Sequence, residues 1–317
     1  LKARWPALDL RFLLSREAPV AATCPYPAEL LACSATLAGA AVERCLEVLR
    51  PDLVIFDCAG RARHARAARR LGARVIYVSQ HRRKRARGFA WGRLIALDAH
   101  WITQFRFIDG DLGPLERLKL HVLRKPAPHF LGPVHADPAP ELPAEFADYR
   151  DRPYSLWAAG GGGHRNGTHS ATECFHAAAA EFGSPERPVL LVAGANYSGP
   201  PLPDGAGLRV VRSLPHATLM TLVAQARLVV CGGGDLMGQA LALGRNVLAV
   251  AVAKDQPPRI AACVARGLVR TASLDIPALA AAAQVAHTTP LAPVVEERDG
   301  LRRAVDEVGR LLALSRA

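Results

Sequence analysis

Short apolar runs rich in branched residues, each closing on a polar or glycine turn and followed by a helical pattern, recur along this chain, and no other feature restricts its fold as much. LDLRFLLS (8–15), DLVIFD (52–57) and RVIYVS (74–79) read as strands, with helices over Gly39–Leu49 and Ala62–Leu71 between them. Past residue 153 the alternation resumes in YSLWAA, PVLLVAG, LRVVRSL, ARLVVCG and NVLAVAVA, most of them again followed by a helical stretch. Strands and helices alternating at this length form βαβ units, which build a parallel sheet covered by helices on both faces. Seven prolines between 126 and 153 break the pattern and are too many for regular structure inside a compact unit. The reading is therefore α/β with two similar domains: residues 1–132, a proline-rich linker over 133–152, and a second domain over 153–317. A closing helix over Glu296–Ser315, with Leu301, Val305, Val308, Leu311 and Leu312 at helical spacing, completes the second domain. The opening LKARWPALDLRFLLS reads as a helix end running into a strand, so a first β-strand and its loop are expected to precede it.

Length and composition agree with this. At roughly 150 residues per domain, 317 residues suit two domains, and 50% hydrophobic content fills two cores. Disordered, collagenous and coiled-coil classes are excluded. The seven cysteines (24, 33, 45, 58, 174, 231, 263) are odd in number and include no CxxC pair. Neither a disulfide framework nor a zinc site is supported, and a reducing cytoplasm is the simplest compartment. No apolar run approaches the roughly 20 residues that span a bilayer, and the start lacks a cleavable signal pattern. The chain reads as soluble or peripheral.

The formal net charge of +12 points to an anionic partner. Its distribution is uneven: +9 over residues 1–150, +3 over 151–317, and twelve Arg/Lys with no Asp/Glu from Arg61 to Arg93. Arg61, Arg63, Arg66, Arg69 and Arg70 share a predicted helix and read as a solvated face. His81, Arg82, Arg83, Lys84, Arg85 and Arg87 instead follow RVIYVS directly, at a sheet end, with FAWG after them. Basic residues beside aromatics dock on anionic lipid surfaces or hold a phosphorylated acceptor. The same composition fits nucleic acid, but no nucleic-acid-binding motif accompanies it, so that partner ranks lower.

Ligands of open parallel sheets bind outside the C-terminal ends of the strands. Two glycine loops stand there: Gly160–Gly163 with His164 after YSLWAA, and Gly232, Gly233 and Gly234 with Asp235 after RLVVC. A glycine-rich turn entering a helix offers a close backbone approach, unpaired N–H groups and the positive helix end to an anion. Neither loop is GxGxxG with a matching acidic residue, and neither is GxxxxGK followed by Ser or Thr. Tight turns without a ligand remain the alternative.

The stretch LPHATLMTLVAQARLVVCGGGDLMGQALALGRNVLAVAVAKDQPPRIAACVARGLV resembles the C-terminal domain of GT-B glycosyltransferases, especially glycosyltransferase family 28 and the related UDP-sugar hydrolases of nonulosonic acid biosynthesis. About 60 residues are similar closely, and GGGGHRNGTHS (160–170) extends the likeness more loosely. The resemblance implies two Rossmann-like domains facing a central cleft. It places Leu214 to His216 at the nucleotide base, Gly232, Gly233 and Gly234 at the pyrophosphate, Gln239 at the ribose, and Asp255 with Gln256 at the donor sugar. Gly161, Gly162, Gly163 and Asn166 join the donor side. Asp235 and Leu236 stand where the family has Ser and Thr. A carboxylate there repels a pyrophosphate, and as a helix cap it would consume N–H groups the ligand needs. Gln239 is a neutral amide where the family carries glutamate, and so a weaker acceptor for ribose hydroxyls.

The family's catalytic base, often a histidine, lies in the first βα turn, the segment expected to precede this sequence. Among the residues in hand the candidates are Asp57, ending DLVIFD; His81, beyond a strand end; and His164, after four glycines. His64 is a further histidine beyond a strand. No histidine pair has metal-ligand spacing, which fits the metal independence of the family.

The expected activity is metal-independent hexosyl transfer, without a cofactor, from a nucleotide sugar (a UDP-sugar first) to a glycan, lipid-linked or small-molecule acceptor in envelope or secondary glycan synthesis. The expected location is the cytoplasm, with a peripheral position at the inner membrane face following from the basic loop. Two alternatives stay open: hydrolysis of the nucleotide sugar, and a non-catalytic GT-B module binding an anionic partner, which Asp235 and Gln239 favour.

Overall fold

The computed structural model describes residues 1–22, 24–166 and 169–313. They form two compact units, one of Leu1–Gly132 joined by the C-terminal stretch from Asp299, the other of Pro133–Arg298.

The first unit runs β1 (Phe12–Ser15), β2 (Ala28–Leu31), α1 (Gly39–Leu49), β3 (Leu53–Asp57), α2 (Ala62–Arg70), β4 (Arg74–Ser79), α3 (Arg82–Gly88), α4 (Trp91–Leu94), β5 (Ala99–Ile102), α5 (Arg106–Asp109), α6 (Pro114–Val122) and β6 (His129–Phe130). β1 and β2 pair in parallel, and a parallel sheet of order β3-β4-β5-β6 follows. β4 shows how the sequence builds this sheet. Side chains alternate across a strand, and here Val75 and Tyr77 enter a core with Val42, Leu46, Ala65 and Ala68 of α1 and α2. Ile76 and Val78 point to the opposite face. The middle of the strand, Val75 to Val78, is apolar on both sides because both faces are covered.

The second unit runs β7 (Ser155–Ala158), β8 (Arg165–Asn166), β9 (His169–Ser170), α7 (Ala171–Phe182), β10 (Val189–Val192), β11 (Leu208–Val211), α8 (His216–Gln225), β12 (Leu228–Gly232), α9 (Asp235–Ala242), β13 (Val247–Val250), α10 (Pro257–Val264), β14 (Arg270–Ala272) and α11 (Ile276–Thr288). Six of its strands form one parallel sheet in the order β11-β10-β7-β12-β13-β14. Trp157, Val189, Leu191, Val230 and Leu248 meet Phe175 and Phe182 of α7 and Leu279 and Ala283 of α11 in one core.

Two expectations need correction. The stretch 133–152 is no free linker: Leu142, Phe146 and Tyr149 are buried, and the Ala139 amide donates to Thr221 Oγ1 at 2.9 Å. Its prolines leave only a short 3-10 helix over Ala144–Tyr149, and its apolar side chains pack on the second unit. The closing helix, α12 (Gly300–Leu311), belongs to the first unit. Val308, with Ala304, Leu311 and Leu312, covers Ile76, Val78 and Trp101, and the Trp101 indole donates to Glu307 Oε2 at 2.8 Å. Helical spacing predicts an apolar stripe but not which sheet it covers. No helix among the described residues is long and apolar enough to cross a membrane.

Candidate functional site

In the second unit, numbering the strands by appearance gives the order 3-2-1-4-5-6, so the direction of winding reverses between β7 and β12. Both glycine loops leave the sheet there. Cys231 of β12 pairs in register with Ala158 of β7, and a Cβ on Gly232 would stand 3.1 Å from the Ala159 carbonyl. The sequence places the loops at strand ends; the topology makes them neighbours.

The two loops differ in construction. GGGG does not enter a helix directly, since the antiparallel pair β8–β9 stands between it and α7. Gly162 has φ +89°, and a Cβ there would stand 2.7 Å from both Ala193 O and Tyr197 N. The Asn196 amide donates to Gly161 O at 2.8 Å. Gly162 thus answers to the neighbouring loop after β10, while Gly161 and Gly163 are exposed. His164 lies over Gly160, and the side chain of Asn166 lies outside the described part of the structure.

The second turn runs directly into α9. Its cap position is Gly234, with Asp235 the first helical residue, so the expected aspartate cap is corrected: Asp235 is exposed at the helix start. Gln256 has a structural part in the same turn. It is buried, and its Oε1 accepts from Gly233 N at 3.0 Å and Val252 N at 2.9 Å. Its amide oxygen is therefore occupied in shaping the glycine turn. A Cβ on Gly233 would stand 2.6 Å from Ile260 Cγ1, so the turn closes tightly over α10. Asp255 is exposed and pairs with Arg259.

Gln239 donates through Nε2 to the Val134 carbonyl at 2.9 Å, so it tethers the stretch after Gly132 to α9. His216 opens α8 behind Leu214 and Pro215. Burial first, and the neighbouring His135 second, hold its imidazole below the usual value. Gln239 and His216 are thus brought to the same segment, 134–135. Sequence reasoning missed Asn196 and Arg212, whose Nη2 donates to Tyr197 O at 3.0 Å and holds the 194–197 loop. The glycine ending PVLLVAG was their only signal.

In the first unit Asp57 is exposed at the end of β3. It stands beside Cys58, whose thiol is pushed up to about 11 by burial first and then by Asp57, while Lys84 opposes the rise. Lys84 Nζ donates to the Cys58 carbonyl at 3.2 Å. Residues 82–88 form α3 rather than a loop, with His81 at its cap position. Arg82, Arg83 and Arg87 are exposed, but Arg85 is corrected. Its side chain is 3% exposed and pairs with Asp109 at 2.6 Å and Glu116 at 3.2 Å, and it also donates to the Asp109, Gly110 and Asp111 carbonyls. His64 is buried and accepts the Arg61 amide at 3.2 Å, capping α2. Among the described residues no group of three or more His, Cys, Asp or Glu is placed to hold a metal ion.

No protein-family model matches the chain, and no curated protein matches it. Solved structures are similar in fold and distant in sequence. The kitacinnamycin glycotransferase superposes with a TM-score of 0.60 at 18% identity, over 95% of this chain and 91% of that one. CalG4, the calicheamicin glycosyltransferase, gives 0.51 at 17% identity, over 86% and 76%. MnaA of S. aureus, solved with UDP, gives 0.52 at 13% identity, over 87% and 80%. With two parallel α/β units and these neighbours, the chain has the GT-B fold.

Proposed function

We propose that the protein is a glycosyltransferase that binds a nucleotide sugar, a UDP-sugar first, on its second unit and passes the sugar to an acceptor. The observation that carries this reading is the meeting of both glycine turns at the reversal between β7 and β12, where open α/β sheets take their ligands. The fold likeness to the kitacinnamycin glycotransferase over 95% of the chain and to the UDP-bound MnaA supports it.

In this reading Gly234 and the first turn of α9 receive the diphosphate. Backbone N–H groups and the positive helix end stabilise the charge that grows as the diphosphate leaves. Such stabilisation needs no metal ion, so turnover should survive EDTA. Gln256 fixes the turn that presents these amides. Gly161, Gly163 and His164 flank it, and the segment carrying Val134 and His135 meets Gln239 and His216 on the same unit. The exposed Arg82, Arg83 and Arg87 offer positive charge to an anionic glycan, lipid-linked acceptor or membrane surface.

Calorimetric titration with UDP, UDP-GlcNAc, GDP and CMP tests the donor assignment, and absence of binding to all four at millimolar concentration rejects it. The Asp235 carboxylate should oppose the diphosphate, so Asp235→Ser should tighten UDP roughly tenfold, worth about 1.4 kcal/mol. Unchanged affinity would place Asp235 away from the phosphates. Release of UDP and free sugar without acceptor, undiminished when acceptors are supplied, would replace transfer by hydrolysis.

A further inference from the structure

The first unit holds a cavity of about 760 Å³ beside α12, far along the chain from either glycine turn. Three segments distant in sequence wall it: the opening residues through Arg4, the residues after β5 through Arg106, and α12 through Arg303 and Arg310. Phe130, ending β6, is part of the same wall. The Arg106 guanidinium lies 4.6 Å from the centre of the Phe130 ring, and Arg303 Nη1 donates to the Phe130 carbonyl at 3.3 Å.

The charges around this space do not balance internally. Glu307 is buried and fully engaged, accepting from Trp101 at 2.8 Å and Arg310 at 3.1 Å and pairing with His129. Among the described residues Arg4, Arg106 and Arg303 form no ion pair. Asp306 is the remaining acid on the wall. Three guanidinium forks and one carboxylate give the wall a net charge of +2, and Arg106, Arg303 and Asp306 are exposed, so the forks are open to an anion from solvent. Guanidinium forks match phosphate and carboxylate oxygens in pairs. The volume lies within the roughly 300–1,000 Å³ of small-molecule sites and far exceeds one inorganic anion. Phe130 is buried with the Arg106 guanidinium over its ring, so what the wall offers a ligand is its guanidinium groups and its volume.

We propose that this cavity binds a small organic dianion, larger than an inorganic anion, its acid groups held by Arg4, Arg106 and Arg303. Such a ligand would tie the opening segment, the β5 end and α12 together. It is a second site, independent of the donor reading.

Calorimetric titration at low salt with phenyl phosphate, phthalate and inorganic phosphate tests it. Saturable binding of phenyl phosphate or phthalate is expected, at least tenfold tighter than inorganic phosphate. Whichever ring-bearing anion binds more tightly identifies the acid group as phosphate or carboxylate. Arg106→Gln with Arg303→Gln should weaken binding at least tenfold, while Arg302→Gln, on the same helix but outside the wall, should leave it unchanged. If the double variant does not fold, Arg4→Gln, which breaks no side-chain bond, carries the same requirement of weaker binding. No saturable binding of either aromatic anion, or undiminished affinity in the folded variant, overturns the proposal.

Discussion

Gly162 is constrained twice, by a φ of +89° and by backbone atoms 2.7 Å from where a Cβ would stand. Gly72 shares the conformation, with φ +91°, but faces open space. The pair separates conformational strain from collision. Gly72→Ala should cost about 1 kcal/mol, the penalty of a left-handed residue, whereas Gly162→Ala must also push the 193–197 loop aside and should cost about 3 kcal/mol or more. Equal losses in urea unfolding would show that the loops have room. The runs of glycine were legible as strand-end turns in the sequence. What each glycine approaches was not, because the partner of Gly162 lies on another loop some thirty residues on. Gln256 shows the same limit. The DQ pair before α10 is plain to read, but only the packing of that turn decides that the amide oxygen faces back to Gly233 and Val252.

Single elements show why the basic window carried two meanings at once. Arg82, Arg83 and Arg87 are exposed on α3 while Arg85 of the same helix is buried against Asp109 and Glu116, a distinction that depends on α5 and α6 lying alongside. Arg85→Ala leaves Asp109 buried without its counter-charge and should destabilise the protein by about 3–5 kcal/mol. Arg82→Ala should stay within about 0.5 kcal/mol. Similar losses in thermal or urea unfolding would contradict the division. β5 gave no strand signal, because AHWI places a histidine where the core is. His100 meets Ser79 Oγ at 2.9 Å and the rings of Tyr77 and Phe89. Burial first, then Arg85 and Arg93, lower its pKa to about 3. Between the usual value near 6.5 and about 3, the unfolded chain takes up a proton that the folded chain refuses, so stability falls as pH falls. Each unit costs about 1.4 kcal/mol. The stability difference between wild type and His100→Asn should therefore shift by about 2.5 kcal/mol between pH 7 and pH 4.5, against the wild type, and parallel pH profiles would show that His100 titrates normally.

At the scale of the whole molecule, two α/β units were legible because strand and helix patterns are local, but the membership of α12 was not. Residues 133–298 hold a six-stranded sheet with its own helices: Trp157, Val189, Leu191, Val230 and Leu248 face α7 and α11, and the alternating Leu190, Val229, Cys231 and Ala249 are buried on the other face. Its own α9 lies against β12 and β13, so the segment brings helices of its own to the sheet. Residues 1–132 take one from outside. Without α12, Ile76, Val78 and Trp101 lose Val308 and its neighbours, and the Trp101 indole loses Glu307. Uncovering several large apolar side chains forfeits about 1.5–3 kcal/mol for each one fully exposed, and a domain's whole stability is only about 5–15 kcal/mol. A fragment of residues 133–298 should therefore unfold cooperatively by itself. A fragment of residues 1–132 should lack fixed tertiary packing, seen as a weak near-ultraviolet dichroism signal, and should regain it when a peptide of residues 299–317 is added. If residues 1–132 fold alone and the peptide changes nothing, the uncovered face carries too little free energy to matter, and α12 is an accessory to this unit instead of one of its layers.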